Sequence, residues 1–227
     1  RLQGDWSSDV CSSDLTVAVT DGIPRESLTD SEDYENQFDP HVWFDVTLWV
    51  QAVKAVETAL AEIDPVNAAV YNIRAKAYTA KLNDLEKEIR TKIADIPKSQ
   101  RILITAHDAF NYFGRAYGFT VKGLQGISTE SEAGTKDVQN LANYIKDNQI
   151  KAVFIESSIP VRTIQAVQQA VKAKGWDVAI GGELFSDAMG NPGTLEGTYI
   201  GMVQHNVNTI TSGLINGSHF AHKEAKH

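Results

Sequence analysis

From residue 101 onward, short apolar runs alternate with segments of helical period, and this alternation constrains the fold more than any other feature of the chain. Strands are predicted at residues 101–105, 119–124, 150–155 and 176–180. Each run is too short to be a helix and is bounded by turn signals. Helices are predicted between and after them: 108–117, where Phe110, Phe113 and Tyr117 share a face and Gly118 supplies the stop; 136–148; and 161–174, stopped by Gly175. In a last helix, Ile200, Val203, Val207, Ile210 and Leu214 form the apolar face. Strands and helices alternating at this spacing indicate an α/β fold with a parallel sheet and right-handed crossovers.

Upstream the pattern is purely helical. Val46, Trp49, Val53, Val56, Leu60 and Ile63 keep a helical period, with Asp45 as N-cap. Asp64-Pro65 restarts it, with Asp64 at the N-cap and Pro65 at the first helical position. Val66, Val70, Ile73, Ala77, Leu82, Leu85, Ile89 and Ile93 carry the second helix to about Ile96. About thirty residues of helix span roughly 45 Å, longer than one lobe needs. Residues 64–97 therefore read as a strut joining two lobes, although a helix packed along one domain would show the same pattern. On that reading residues 98–216 form one lobe and residues 16–63 belong to the other. Within 16–63, residues 16–19 read as a strand fragment and 30–39 as an acidic loop. Pro40 biases Asp39 away from helix, which puts His41 in a loop just ahead of the first helix.

The two ends stand apart. Residues 1–15 contain a near repeat, SSDV and SSDL, without helix or strand period. They resemble translated adapter read-through and are set aside as a non-native head. Residues 217–227 form a tail carrying His219, His222 and His227, which reads as a disordered end.

Composition narrows the function. A net charge of −8 with no basic stripe argues against nucleic acid as a partner. No apolar run approaches membrane-spanning length, and no signal peptide is evident. One cysteine, Cys11, excludes an internal disulfide and any cysteine-rich metal site. There is no GxGxxG after a strand, no Walker-type loop and no GxSxG elbow.

What the chain does offer lies at strand ends. Parallel strands bring their carboxyl ends to one edge, where open α/β sheets place their ligand sites. Just past those ends come His107, the 128–132 loop with Glu130 and Glu132, Glu156, and the 183–187 loop with Glu183 and Asp187. His41 is the other loop histidine able to face them. Taken alone, His107 reads as a histidine at a helix start with no task. The converging carboxylates make it a candidate ligand. Imidazole nitrogen with carboxylate oxygen and no thiolate suits Zn²⁺, Mn²⁺ or Fe²⁺. His205, on the polar face of the last helix, reads as solvated, and Ser157-Ser158 as hydroxyls capping the next helix.

Three segments carry a family resemblance: FDPHVWFD (38–45), TAHDAFNYFGRAYG (105–118) and GGELFSDAMG (181–190). They resemble the signatures of TroA-like solute-binding proteins of zinc and manganese ABC importers. IESSIP (155–160) and GTYIGMVQHNV (197–207) are similar to that family too. The resemblance implies two α/β lobes joined by a long helix, with a Zn²⁺ or Mn²⁺ ion in the cleft. It implies His41, His107 and Asp187 as metal ligands; Glu130, Glu156 and Glu183, placed at the same rim by the strand ends, are candidate cleft or supporting residues. Histidine at 107 leans toward zinc or a mixed zinc/manganese site. The implied partner is the membrane permease of the importer. The implied location is periplasmic or lipid-anchored at the outer surface, and the implied state is a monomer. The family's fourth ligand, a first-lobe histidine, has no counterpart before His41, so most of the first lobe is expected to be missing. Two other readings stay open. Two histidines and an aspartate with an open position also describe a zinc hydrolase, with Glu156, Glu130 or Glu132 as base. A surface adhesin is the other.

Overall fold

Residues 16–31, 37–129 and 133–217 are described in the computed structural model of the chain. The expectations for residues 1–15, for Glu130 and Glu132, and for the tail histidines lie outside these residues.

Among the described residues four strands form: β1 (Ile102–His107), β2 (Thr120–Gln125), β3 (Ala152–Glu156) and β4 (Ala179–Leu184). Pairing among these four strands is parallel, as expected, but it makes two ladders, β1 with β2 and β3 with β4, rather than one continuous sheet. The ladders lie side by side through β1 and β3. At the carboxyl end of that seam a side chain does the work of a rung. Glu156 Oε1 accepts from the backbone N–H groups of Ala106 (2.7 Å) and His107 (2.9 Å).

Six α-helices among the described residues surround the strands: α1 (Val46–Ile63), α2 (Ala68–Ala94), α3 (Asn111–Tyr117), α4 (Thr135–Asp147), α5 (Arg162–Ala173) and α6 (Tyr199–Asn216). Ile104, Leu124, Val153, Leu141, Ile145, Ile164 and Val167 build a core with α4 and α5. Phe154 and Leu184 join a second core that draws in α1, α2, α3 and α6. Residues upstream of α2, among them Ile23, Val42 and Phe44, share this second core. Burial on both faces explains why β1 and β3 read as continuous apolar runs, whereas β2 is exposed at alternate positions over its first half.

Several boundaries differ from the sequence reading. The strut expected over 64–97 is α2 alone, preceded by a 3-10 turn at Pro65–Asn67. Asp64 does not cap it. Its carboxylate instead accepts from Asn67 Nδ2 (2.7 Å) and the Tyr71 hydroxyl (2.8 Å). The end of α2 is closed by Arg101, which donates to the carbonyls of Ile93 and Ile96 at 3.0 Å each. Residues 16–19 form no strand, having no partner among the described residues. β1 runs on to His107, which is therefore the last residue of a strand and not part of the turn. β4 starts later than expected and takes in Gly181 and Gly182. Glycine is needed at 181 because a Cβ there would stand 2.7 Å from the Phe154 ring. Gly213 of α6 approaches the same ring, so helix, ring and strand stack closely. Asp45 caps α1 as predicted, accepting from the N–H groups of Thr47 (2.9 Å) and Leu48 (3.4 Å).

Candidate metal centre

His41, His107 and Asp187 meet at the carboxyl edge of the strands, each offering one ligand atom, all within 4.8 Å of one another. They arrive by three routes. Pro40 ends the extended run, and His41 starts a 3-10 turn (Val42–Phe44) whose Val42 and Phe44 are buried and whose Phe44 ring stacks on Phe110 at 4.3 Å. His107 closes β1, fully buried. Asp187 lies three residues past the end of β4, with its side chain 38% exposed.

Each imidazole has a carboxylate at its Nδ1. His41 Nδ1 lies 2.7 Å from Asp39 Oδ1, and the His41 backbone N–H donates to the same oxygen at 2.9 Å. The other oxygen of Asp39 accepts from Asn111 Nδ2 (3.2 Å), and its carbonyl accepts from the Tyr112 hydroxyl (3.0 Å). His107 Nδ1 lies 2.6 Å from Glu156 Oε2. That distance makes an ion pair, but its alignment falls short of a hydrogen bond. A carboxylate at Nδ1 fixes the tautomer and turns the Nε2 lone pair toward a ligand. Both Nε2 atoms then face Asp187, that of His41 at 3.3 Å from Oδ1 and that of His107 at 3.3 Å from Oδ2.

Electrostatics follow from this packing. Burial alone would lower the pKa of His41, but Asp187 and then Asp39 outweigh it and the value is raised. Burial opposes charge on His107 too, and Asp187 and Glu156 together lift it to about 9. The Asp187 carboxyl, held by His107 and then by His41, sits well below the ordinary carboxylate range. Three carboxylates therefore surround two imidazoles. His107 Nε2 is buried and has no aligned hydrogen-bond partner. Such an atom is expensive to bury unless something binds it. A divalent cation suits this donor set, two imidazole nitrogens and a carboxylate oxygen.

Not every predicted residue joins the cluster. Glu156 does, though as a prop for His107 and for the strand seam. Glu183 does not: its side chain is exposed, and its carbonyl accepts from His205 Nε2 at 2.9 Å. His205 is accordingly a half-buried histidine packed on Phe185, not a solvated one. Ser158 does not cap α5. Its hydroxyl pairs with that of Ser186 at 2.9 Å, tying down the loop that carries Asp187. Sequence reading passed over Asp39. The signal was present, because an aspartate two residues before a histidine and held extended by Pro40 can reach back to it. Tyr112 and Asn206 gave no local signal.

An apolar groove of about 620 Å³ adjoins Asp187, lined by Trp43, Trp49, Val56, Tyr78, Tyr199 and Met189 among others. Among the described residues no helix is long and apolar enough to cross a membrane.

The chain is similar to known proteins over most of its length. Residues 4–213 match a family described as ZnuA, zinc-uptake complex component A, periplasmic. The match starts inside the head whose repeat set it apart. The chain is 50% identical over 211 residues to the zinc-binding protein TroA of Treponema pallidum, covering 93% of this chain and 68% of that protein. It is 49% identical over 199 residues to the manganese-binding lipoprotein MntA of Bacillus subtilis, covering 88% and 65% respectively. The solved structure of the periplasmic zinc-binding protein TroA from Treponema pallidum superimposes with a TM-score of 0.84 at 51% identity, covering 87% of this chain and 71% of that one. The chain thus spans about two thirds of the length of these relatives.

Proposed function

Because the chain belongs to the ZnuA family, the periplasmic component A of zinc-uptake complexes, we propose that it captures Zn²⁺ or Mn²⁺ outside the cytoplasm, through His41, His107 and Asp187, for delivery to the permease of an ABC importer. The family is one of solute-binding proteins, not enzymes. One observation supports the ligand assignment above all. Two buried imidazoles, each backed by a carboxylate, aim Nε2 at one aspartate, and that of His107 has no aligned hydrogen-bond partner. Neutral imidazoles and an ionised carboxylate take the ion, and the carboxylates behind them hold the rings in place. Fe²⁺ fits the same donors.

On this reading residues 16–63 belong with a first lobe, α2 is the strut, and residues 98–216 are the second lobe. A hydrolase would need a general base near the ion. Glu156 is committed at both oxygens, to His107 and to two backbone N–H groups.

Calorimetric titration with Zn²⁺ and with Mn²⁺ at neutral pH, on this chain and on Asp187→Ala, tests the assignment. One ion should bind the wild type, and the substitution should weaken it at least about a hundredfold, beyond what an outer partner is worth. Equal binding by both proteins would sink the ligand set.

A further inference from the structure

The loop carrying Asp187 is pinned in an unusual way. The last rung of the β3–β4 ladder is the Ser157 N–H donating to the carbonyl of Leu184 at 2.9 Å, and there the partner strand runs out. Phe185 would then leave the sheet with its N–H and C=O unmet. Asn206 of α6, only 3% exposed, meets both. Its Oδ1 accepts from Phe185 N–H at 2.9 Å, and its Nδ2 donates to the Phe185 carbonyl at 2.7 Å. A carboxamide offers the same donor–acceptor pair as a peptide group, so this side chain extends the sheet by one residue in place of a strand. The following residue is held as well. The Ser186 carbonyl accepts from Trp43 Nε1 at 3.2 Å, and Trp43 belongs to the turn that carries His41.

Resting on the metal reading above, we propose that Asn206 is a positioning residue for Asp187: it fixes the backbone two residues before the carboxylate and so sets where that carboxylate meets the two imidazoles. The physical case is one of freedom. His41 and His107 are buried and braced, whereas Asp187 is a loop residue and partly exposed. Without a grip on Phe185, backbone rotation there would swing the carboxylate away from Nε2 atoms that cannot follow. Ligand geometry has to be held to about 0.5 Å for the ion to benefit. Outer partners of this kind are worth about 10–100-fold in metal affinity.

The test is a double-mutant cycle on Zn²⁺ affinity with Asn206→Ala and Asp187→Ala, read by competition with a chromogenic chelator. Asn206→Ala should weaken Zn²⁺ about tenfold or more when Asp187 is present and less than about threefold when it is already alanine, because the lost grip acts through that carboxylate. A residue of structural value only would cost the same in both backgrounds, and that result overturns the proposal, as does no loss at all. Should Asn206→Ala fail to fold, Asn206→Leu keeps the side-chain volume and carries the same expectation through the same cycle. A wild type that takes up no Zn²⁺ would bring down the metal reading and this inference together. A wild type that binds with no coupling would bring down the inference alone.

Discussion

His41 takes its carboxylate from Asp39, two residues away in the same turn, while His107 takes its own from Glu156, at the end of a strand that is remote in sequence. The first half of the site starts from adjoining chain: Pro40 sets the backbone, and Asp39 binds both the ring and the N–H of His41, while Asn111 and Tyr112 of α3 hold Asp39 in turn. The second half exists only once β1 and β3 lie together, because Glu156 needs the β1 backbone to hold it. The difference teaches that one ligand of a site can take its carboxylate from the adjoining chain, with α3 holding that carboxylate from outside, while its twin takes its own only across the strand seam. Damage behind the two imidazoles should therefore show itself differently.

The largest effect is expected from His107→Ala. It removes a ligand and leaves Glu156 as a buried carboxylate without its cation, a loss on the order of 3–5 kcal/mol of fold stability. His41→Ala should forfeit metal binding to a similar degree with a smaller drop in stability. Denaturant unfolding without metal separates the two, and equal losses would erase the contrast. Next come the props. Glu156→Gln and Asp39→Asn should each weaken Zn²⁺ by about 10–100-fold, but only Glu156→Gln should lower the metal-free midpoint clearly, since it also disturbs the strand seam. Calorimetry beside thermal unfolding checks both quantities.

Acidity sharpens the comparison. His107 is raised to about 9, and His41 is raised as well. Their charged forms therefore stabilise the metal-free fold, fully below the ordinary histidine value of about 6.5 and less and less as pH climbs through about 9. Asp187 is depressed, so its contribution is present above the ordinary aspartate value and fades as pH falls through its lowered one. An ion needs the imidazoles neutral, so Zn²⁺ affinity should rise over the pH range in which the metal-free protein loses stability. Unfolding at pH 6 and pH 9, with and without Zn²⁺, reads both trends. A metal-free fold that gains stability toward pH 9 would contradict the sign. The smallest effect is expected far from the site, on the α1–α2 hairpin, where Val66 is 92% and Ile73 67% exposed. Ile73→Lys should change stability by no more than about 0.5 kcal/mol while reducing self-association, which light scattering would report.

Much of this was legible from period and spacing. The strand–helix alternation, Asp45 as a cap, Gly118 as a stop and the edge to which His107 belongs all follow from local pattern. So did the family signatures containing His41, His107 and Asp187. The gaps have physical causes. β4 was misplaced because Gly181 and Gly182 look like a turn until the Phe154 ring, packed against Gly181, shows why glycine is needed within the strand. Glu183 looked like a cleft residue from its position, but strand alternation turns it outward once β4 includes it. Asn206 could not be read at all, since an asparagine on a helix acquires its task only from the strand end it meets.

The seam between β1 and β3 has a mechanical consequence. No ladder crosses it, and His107 stands on one side while Asp187 follows the strand pair on the other. On the proposed ligand set, an ion held by both would join the two strand pairs across that line. Loading would then brace this join, and unloading would release it. The cargo is in that sense a temporary part of the frame that carries it.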